Sequence, residues 1–151
     1  MSTSSESKRS ILLVEDDAND IELTKRAFER NRLANVFLVA RDGAEALEML
    51  FGSSVEAMHA DLSELQLILL DLKLPKVSGL EVLRKIRADE RTRMIPVVVL
   101  KSSDEERDVV ESYGLGANSY VRKPIDFEQF VEAVRELGLY WLVLNKTVKR
   151  D

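Results

Sequence analysis

Five short apolar runs that alternate with helical patterns constrain the fold of this chain more than any other feature. Runs rich in Val, Ile and Leu are typical of strands buried on both faces of a parallel sheet. The segments between them carry apolar residues at the three- and four-residue spacing of amphipathic helices. The runs are Ile11–Val14, Val36–Ala40, Leu67–Leu70, Val97–Leu100 and Ser119–Val121.

Alternating strands and helices predict an α/β fold, with helices covering both faces of a parallel sheet. Right-handed crossovers leave few topologies, and we expect a doubly wound five-stranded sheet in the flavodoxin-like order 2-1-3-4-5. In that order the direction in which strands are added to the sheet reverses between the first and third strands. Ligands bind at such a point, at the carboxyl ends of the strands. Residues suited to N-caps occur where helices should begin: Asp42, Ser78, Ser103 and Asp126.

The length of 151 residues predicts one domain with a substantial core. We expect a loose tail over residues 1–8, the domain over 9–145 and a short C-terminal tail over 146–151. Residues 52–66 are predicted to form an extended connection before the third strand, and we expect no separate output domain.

Composition excludes several classes of function. Acidic residues outnumber basic ones by 27 to 22, and the net charge of -5 argues against nucleic acid as a partner. There is no cysteine, so neither disulfides nor thiol chemistry are expected. No apolar run approaches the roughly 20 residues that span a bilayer, and the polar N-terminus lacks a signal peptide. We therefore expect a cytoplasmic protein with no membrane partner.

Acidic residues follow two of the predicted strands. Glu15 and Asp16 come directly after the first apolar run, and Asp71 comes directly after the third. The predicted strand order places these carboxylates in one crevice, where two unit charges ~4 Å apart repel by roughly 4 kcal/mol at an effective dielectric near 20. Mg²⁺ would relieve that repulsion, because it prefers carboxylate, carbonyl and water ligands. Alternatively the acids only cap the next helix, where a negative charge is favourable. For Asp17, Asn19 or Asp20 taken singly, we favour a capping or a solvated role.

Asp71 is the best candidate for a nucleophile, because a carboxylate can attack phosphorus and form an aspartyl phosphate. By itself, an aspartate at the end of a strand is often only a turn former. Lys123 follows the fifth apolar run, and its ammonium could contact a phosphoryl oxygen, although most lysines are simply solvated. His59 is the only histidine and has no clustered ligands around it in the sequence, so neither a metal site nor a phosphohistidine is expected there.

Four motifs together resemble the receiver domain of two-component response regulators, over residues 11 to about 137. In family order they are ILLVEDD, LILLDLKLPKVSG, IPVVVLKSS and SYVRKP. The resemblance implies that Asp71 accepts a phosphoryl group from a sensor histidine kinase and that Lys123 contacts that group. It also implies a phosphoacceptor rather than an enzyme, with at most intrinsic autophosphorylation and autodephosphorylation.

The same resemblance implies a set of Mg²⁺ ligands. They are the carboxylates of Asp16 and Asp71 and the backbone carbonyl of Lys73, with Glu15 acting through water. The extended connection and the tail LGLYWLVLN further resemble the single-domain regulators that pair with phytochrome-type kinases, so a bacteriophytochrome is an expected partner.

The fifth helical segment is apolar over more than one face, and such a surface is usually buried somewhere. We therefore expect a homodimer formed through this segment, the C-terminal tail and the fourth helical segment, which carries Val109, Val110 and Tyr113. One stripe comprises Phe127, Phe130, Val131, Val134, Leu137 and Trp141, while Leu139, Tyr140, Val143 and Leu144 lie largely off it.

Lys101 departs from the receiver pattern. The family usually has Thr or Ser at the end of the fourth strand, where its hydroxyl binds the phosphoryl group, and the register from Pro96 puts Lys101 there. Our hypothesis is that the Lys101 ammonium pairs with Asp71 or occupies the phosphoryl position. That would block or bias the switch and alter its coupling to Tyr120, the switch aromatic of the family. The alternative is that Lys101 extends outward and the site works normally.

Three other functions are alternatives to a receiver that takes phosphate. A receiver-shaped binding module that no longer takes phosphate would keep the fold and lose the chemistry because of Lys101. A phosphatase of the haloacid-dehalogenase type needs a second aspartate where this chain has Lys73, and its nucleophile follows the first strand rather than the third. A flavodoxin-like carrier needs a Ser/Thr/Gly-rich phosphate loop after the first strand, where this chain is acidic.

Overall fold

The structure, a computed structural model, describes residues 10–31, 36–52, 62, 64–101, 114–122 and 126–137. Within these ranges the chain alternates between strands and helices. The strands are β1 (Ser10–Val14), β2 (Val36–Ala40), β3 (Leu65–Asp71), β4 (Val97–Lys101) and β5 (Ser119–Arg122). The helices are α1 (Ala18–Arg30), α2 (Gly43–Phe51), α3 (Gly79–Ala88) and α4 (Phe127–Leu137), of which α4 is the fifth helical segment of the sequence analysis.

The five strands form one sheet in the order β2-β1-β3-β4-β5, and every pairing is parallel. This confirms the predicted flavodoxin-like topology. In the register, Val14 pairs with Leu70 and Asp71 pairs with Leu100. The carboxyl ends of β1, β3 and β4 are therefore neighbours at one edge of the sheet.

Helices cover both faces of the sheet, because successive strand residues point to opposite sides. One buried cluster joins alternate strand residues to α2 and α3; the other joins the intervening residues to α1 and α4. A fully buried Leu or Ile side chain contributes about 1.5–3 kcal/mol through removal of apolar surface from water. The first cluster includes Leu12, Ile68, Leu70, Val99, Leu50 and Leu83; the second includes Ile11, Leu13, Leu69, Val98, Phe28 and Val134.

Strand β3 begins earlier than the apolar run suggested. Leu65 is fully buried and pairs with Ser10, so Leu65 and Gln66 belong to the strand rather than to the expected connection over 52–66. The register shifts between Ser10 and Ile11, which places Gln66 at an irregularity in the ladder. Residues 53–61, the tail over 1–8 and the predicted cap Ser103 lie outside the described residues.

Helix α4 packs as the apolar stripe predicted. Phe130 and Val134 are buried, and Phe127 and Val131 pack partly buried against the same cluster as α1. The side chain of Asn31 donates from Nδ2 to the Val131 carbonyl at 3.0 Å, which joins the end of α1 to α4. Trp141 and the rest of the C-terminal segment lie outside the described residues. Among the helices that the structure describes, none has the length and apolar character needed to cross a bilayer.

Arg87 fixes the approach to β5. Its guanidinium donates to the carbonyls of Gly116 and Ile95 and to Oδ1 of Asn118, at distances of 2.7–2.9 Å. The same Asn118 oxygen accepts from the Val97 amide at 2.8 Å, so one network ties α3 to the starts of β4 and β5. Burial lowers the pKa of Arg87 from its ordinary value, but a guanidinium still remains charged at any physiological pH.

Candidate functional site

Three carboxylates meet at the carboxyl edge of the sheet. Glu15 and Asp16 follow β1 directly, and Asp71 is the last residue of β3, the strand beside β1. One carboxylate oxygen from each of the three residues lies within 4.8 Å of an oxygen of the other two. We call Glu15, Asp16 and Asp71 the acidic cluster; the structure brings together the residues that the sequence predicted for the crevice.

The acidic cluster is buried on one side and open on the other. Glu15 is 0% exposed and Asp71 is 3% exposed, whereas Asp16 is exposed to solvent. Repulsion among these carboxylates is screened less than it would be at the surface, because two of them lie away from bulk water. The donor set consists of hard oxygens with a concentrated negative charge, and it fits a hard divalent cation such as Mg²⁺.

Backbone contacts hold the Glu15 end of the cluster. The Glu15 amide donates to the Ala40 carbonyl at 2.9 Å. Oε2 of the Glu15 side chain accepts from the Asp17 amide at 3.1 Å. Asp17 itself caps α1, because its Oδ1 accepts from the Asp20 amide at 3.0 Å. Of the capping and solvated roles considered for Asp17, the structure shows the capping role. Asp16 is the exposed acid of the cluster.

The β3–α3 loop, residues 72–78, wraps around Asp71. The Lys73 amide donates to Asp71 Oδ1 at 3.1 Å, so the backbone of Lys73 lies beside the acidic cluster. The Gly79 amide donates to the Leu72 carbonyl at 3.1 Å and closes the loop. A Cβ at Gly79 would lie 2.3 Å from the Asp71 carbonyl oxygen, so only glycine fits this close approach.

The same loop rests on the start of α2. Lys76 has a left-handed backbone with φ of 69°, and its Nζ lies 3.5 Å from Oδ2 of Asp42, the N-cap of α2. A hydrogen bond from the Glu45 amide, supported by the nearby Lys76 charge, holds the pKa of Asp42 below its usual value. Sequence reasoning found the cap but missed this contact, because nothing local in the sequence shows which helix start a loop will meet.

The structure describes the backbone of two other predicted site residues, Lys101 and Tyr120. Lys101 ends β4 and follows Leu100, the partner of Asp71 in the ladder. Tyr120 lies in β5 and pairs with Val99, and β5 ends at Arg122. Lys123 comes next in the chain but lies outside the described residues. The roles of these residues stay predictions.

Comparison with known proteins identifies a family. The family model described as the response regulator receiver domain matches residues 11–135. Among curated proteins, the chain is 42% identical over 139 residues to the probable methanogenesis regulatory protein FilR2 of Methanothrix harundinacea, covering 91% of this chain and 86% of the relative. It is 34% identical over 142 residues to response regulator Rcp1 of Synechocystis sp., covering 94% of this chain and 95% of the relative.

Solved structures include regulators associated with phytochromes. The bacteriophytochrome response regulator RtBRR is 52% identical, with a TM-score of 0.74 and coverage of 89% of this chain and 80% of that one. The phosphorylated cyanobacterial phytochrome response regulator RcpA is 38% identical, with a TM-score of 0.78 and coverage of 89% and 94%. The Mn²⁺-bound form of Rcp1 is 34% identical, with a TM-score of 0.77 and coverage of 89% and 94%.

Proposed function

We propose that this chain, a member of the response regulator receiver domain family, accepts a phosphoryl group on Asp71 in a two-component relay. The observation that carries the proposal is the acidic cluster, in which a nearly buried carboxylate at the end of β3 lies within 4.8 Å of two others. The similarity to RcpA, whose phosphorylated form is known, supports the same assignment.

The transfer uses the Asp71 carboxylate as a nucleophile. One oxygen attacks the phosphorus of a phosphohistidine, the new O–P bond forms and the N–P bond breaks. The electron pair stays on the imidazole nitrogen of the donor, which then takes up a proton. The hydrogen bond from the Lys73 amide to Oδ1 restricts rotation of the carboxylate, so that positioning supplies much of the catalysis.

The metal ligands in this proposal are Asp16, Asp71 and the carbonyl of Lys73, with Glu15 acting through water. When bound, Mg²⁺ supplies positive charge that offsets the negative charge developing on the phosphoryl oxygens. Lys123 follows the end of β5 and contributes a second positive charge to the same oxygens. The Mn²⁺-bound form of Rcp1, a structure 34% identical to this chain, supports binding of a divalent ion.

The donor in this proposal is a sensor histidine kinase of the phytochrome type, supported by the 52% identity to a bacteriophytochrome response regulator. The proposed function is tested by measuring intact mass after incubation with Mg²⁺ and acetyl phosphate. We expect one added phosphoryl group that hydroxylamine removes, because acyl phosphates react with that nucleophile. A folded protein that binds Mg²⁺ and gains no adduct would favour a binding module that has lost the chemistry.

One observation favours the second function, a receiver-shaped binding module that no longer takes phosphate. Lys101 is the last residue of β4, one position beyond the ladder partner of Asp71, where the family usually has a hydroxyl. We expect Lys101→Thr to raise the rate of phosphorylation by acetyl phosphate by about tenfold, equivalent to about 1.4 kcal/mol of barrier, because it removes a competing cation. Lys85→Thr, on exposed α3 surface, is the matched control and should leave the rate unchanged. Equal rates for Lys101→Thr and the wild type would show that Lys101 does not compete for the site.

We also propose a homodimer formed through the fourth and fifth helical segments and the tail LGLYWLVLN. The support comes from the sequence, in which apolar residues such as Tyr140 and Leu144 lie off the stripe that α4 buries. We expect light scattering to give the mass of a dimer at micromolar concentration. A monomer at high micromolar concentration would rule the dimer out.

A further inference from the structure

The start of α2 contacts the β3–α3 loop, which carries Lys73, a proposed metal ligand. The first amides of a helix lack partners within the helix, and here the Gly43 amide donates to the Pro75 carbonyl of the β3–α3 loop at 3.4 Å. Beside this contact, Nζ of Lys76 lies 3.5 Å from Oδ2 of Asp42. The N-cap and the first residue of α2 therefore contact two consecutive residues of the loop.

The approach of the two segments is too close for any side chain at residue 43. A Cβ built on Gly43 would lie 2.1 Å from the Val77 carbonyl oxygen and 2.8 Å from both its carbonyl carbon and its Cβ. Neither side can yield easily, because Ala46, Met49 and Leu50 anchor α2 in the core and Val77 packs against the same cluster. The absence of a Cβ at Gly43 thus sets how near the loop lies to α2.

The loop is short, and hydrogen bonds hold both of its ends. At one end the Leu72 amide donates to the Leu100 carbonyl at 3.1 Å, and at the other the Gly79 amide donates to the Leu72 carbonyl. The Lys73 amide contacts the Asp71 carboxylate, and in the chain Lys73 comes shortly before Pro75, which contacts the start of α2. Displacing Pro75 and Val77 would therefore move the Lys73 carbonyl relative to the acidic cluster.

We propose that Gly43 is a positioning residue for the metal site: its close contact with the β3–α3 loop places the Lys73 carbonyl and so favours Mg²⁺ over the larger Ca²⁺. The inference rests on the proposed function, which supplies the Lys73 carbonyl as a ligand. Mg²⁺ requires near-ideal octahedral geometry at short distances, whereas Ca²⁺ accepts irregular and more numerous ligands. A displaced carbonyl therefore weakens Mg²⁺ binding more than Ca²⁺ binding.

The test compares Gly43→Ala with Gly114→Ala, since a Cβ at Gly114 would meet nothing within 4 Å in the part of the chain that the structure describes. Mg²⁺ and Ca²⁺ are titrated separately into each metal-free full chain by calorimetry. We expect Gly43→Ala to weaken Mg²⁺ binding by about tenfold and Ca²⁺ binding by less than about threefold, following the geometric demands of each ion. Gly114→Ala should match the wild type for both ions.

A general loss of structure would have a different signature. It would weaken the binding of both ions equally and lower the urea midpoint measured in chelator. Either that result or unchanged Mg²⁺ binding by Gly43→Ala would overturn the inference. If Gly43→Ala does not fold, Lys76→Met decides, because it removes only an exposed contact of the loop with Asp42. That variant should weaken Mg²⁺ binding by about two- to threefold and leave Ca²⁺ binding unchanged; unchanged Mg²⁺ binding would overturn the inference. A wild type that binds neither ion would instead contradict the metal site of the proposed function and the inference with it.

Discussion

Asp71→Asn is expected to abolish phosphoryl transfer to this chain while leaving the fold intact. Asn has nearly the same shape, and its side-chain oxygen can still accept the hydrogen bond that the Lys73 amide donates to Oδ1. An amide oxygen is a far weaker nucleophile than a carboxylate, so we expect the rate to fall on the order of a thousandfold or more, as it does when enzymes lose a nucleophile. The measurement is the time course of intact mass with acetyl phosphate and Mg²⁺.

The control for this prediction is Asp17→Asn. Asp17 lies close to the acidic cluster in sequence but caps α1, and Asn caps helices as well as Asp does. This variant should gain the phosphoryl group at the wild-type rate. An adduct that forms on Asp71→Asn as fast as on the wild type would place the acceptor elsewhere.

Asp16→Asn is expected to weaken Mg²⁺ binding by on the order of tenfold to a hundredfold. The substitution removes one of the three carboxylates of the acidic cluster, and carboxylate charge is the main source of affinity for a hard cation. Asp16 is exposed, so the change leaves no buried group unpaired. Calorimetric titration of Mg²⁺ into the metal-free protein measures the effect.

The same variant has a second expected result, of opposite sign. In the presence of a chelator, Asp16→Asn should be as stable as the wild type or more stable, because it removes one source of repulsion from the cluster. Urea unfolding without metal measures this free energy. Unchanged Mg²⁺ affinity, or a clear loss of stability in chelator, would contradict a metal-binding role for Asp16.

The sheet order could be predicted from the sequence because both of its signals are local. Runs such as Val36–Ala40 and Val97–Leu100 are apolar at consecutive positions, which marks strands covered on both faces. Caps such as Asp42 and Ser78 mark helix starts by their own side chains. Handedness then leaves few topologies, and the meeting of Asp16 and Asp71 follows from the order of the strands.

The remaining features depend on contacts between distant parts of the chain. The early start of β3 is set by the pairing of Leu65 with Ser10, which no pattern around Leu65 announces. The contact of Gly43 with Val77 joins a helix start to a loop more than thirty residues away, and only packing reveals it. Asp17 was rightly separated from the acidic cluster because its position before a helix is itself a local signal.

The central claim is tested most directly by locating the phosphoryl group. After phosphorylation with acetyl phosphate and Mg²⁺, sodium borohydride reduces an aspartyl phosphate to homoserine, and peptide mass spectrometry identifies the changed position. We predict homoserine at position 71 alone, and only when Mg²⁺ is present. Homoserine at position 16 or 17, or no conversion in a folded protein that binds Mg²⁺, would contradict the assignment of Asp71 as the acceptor.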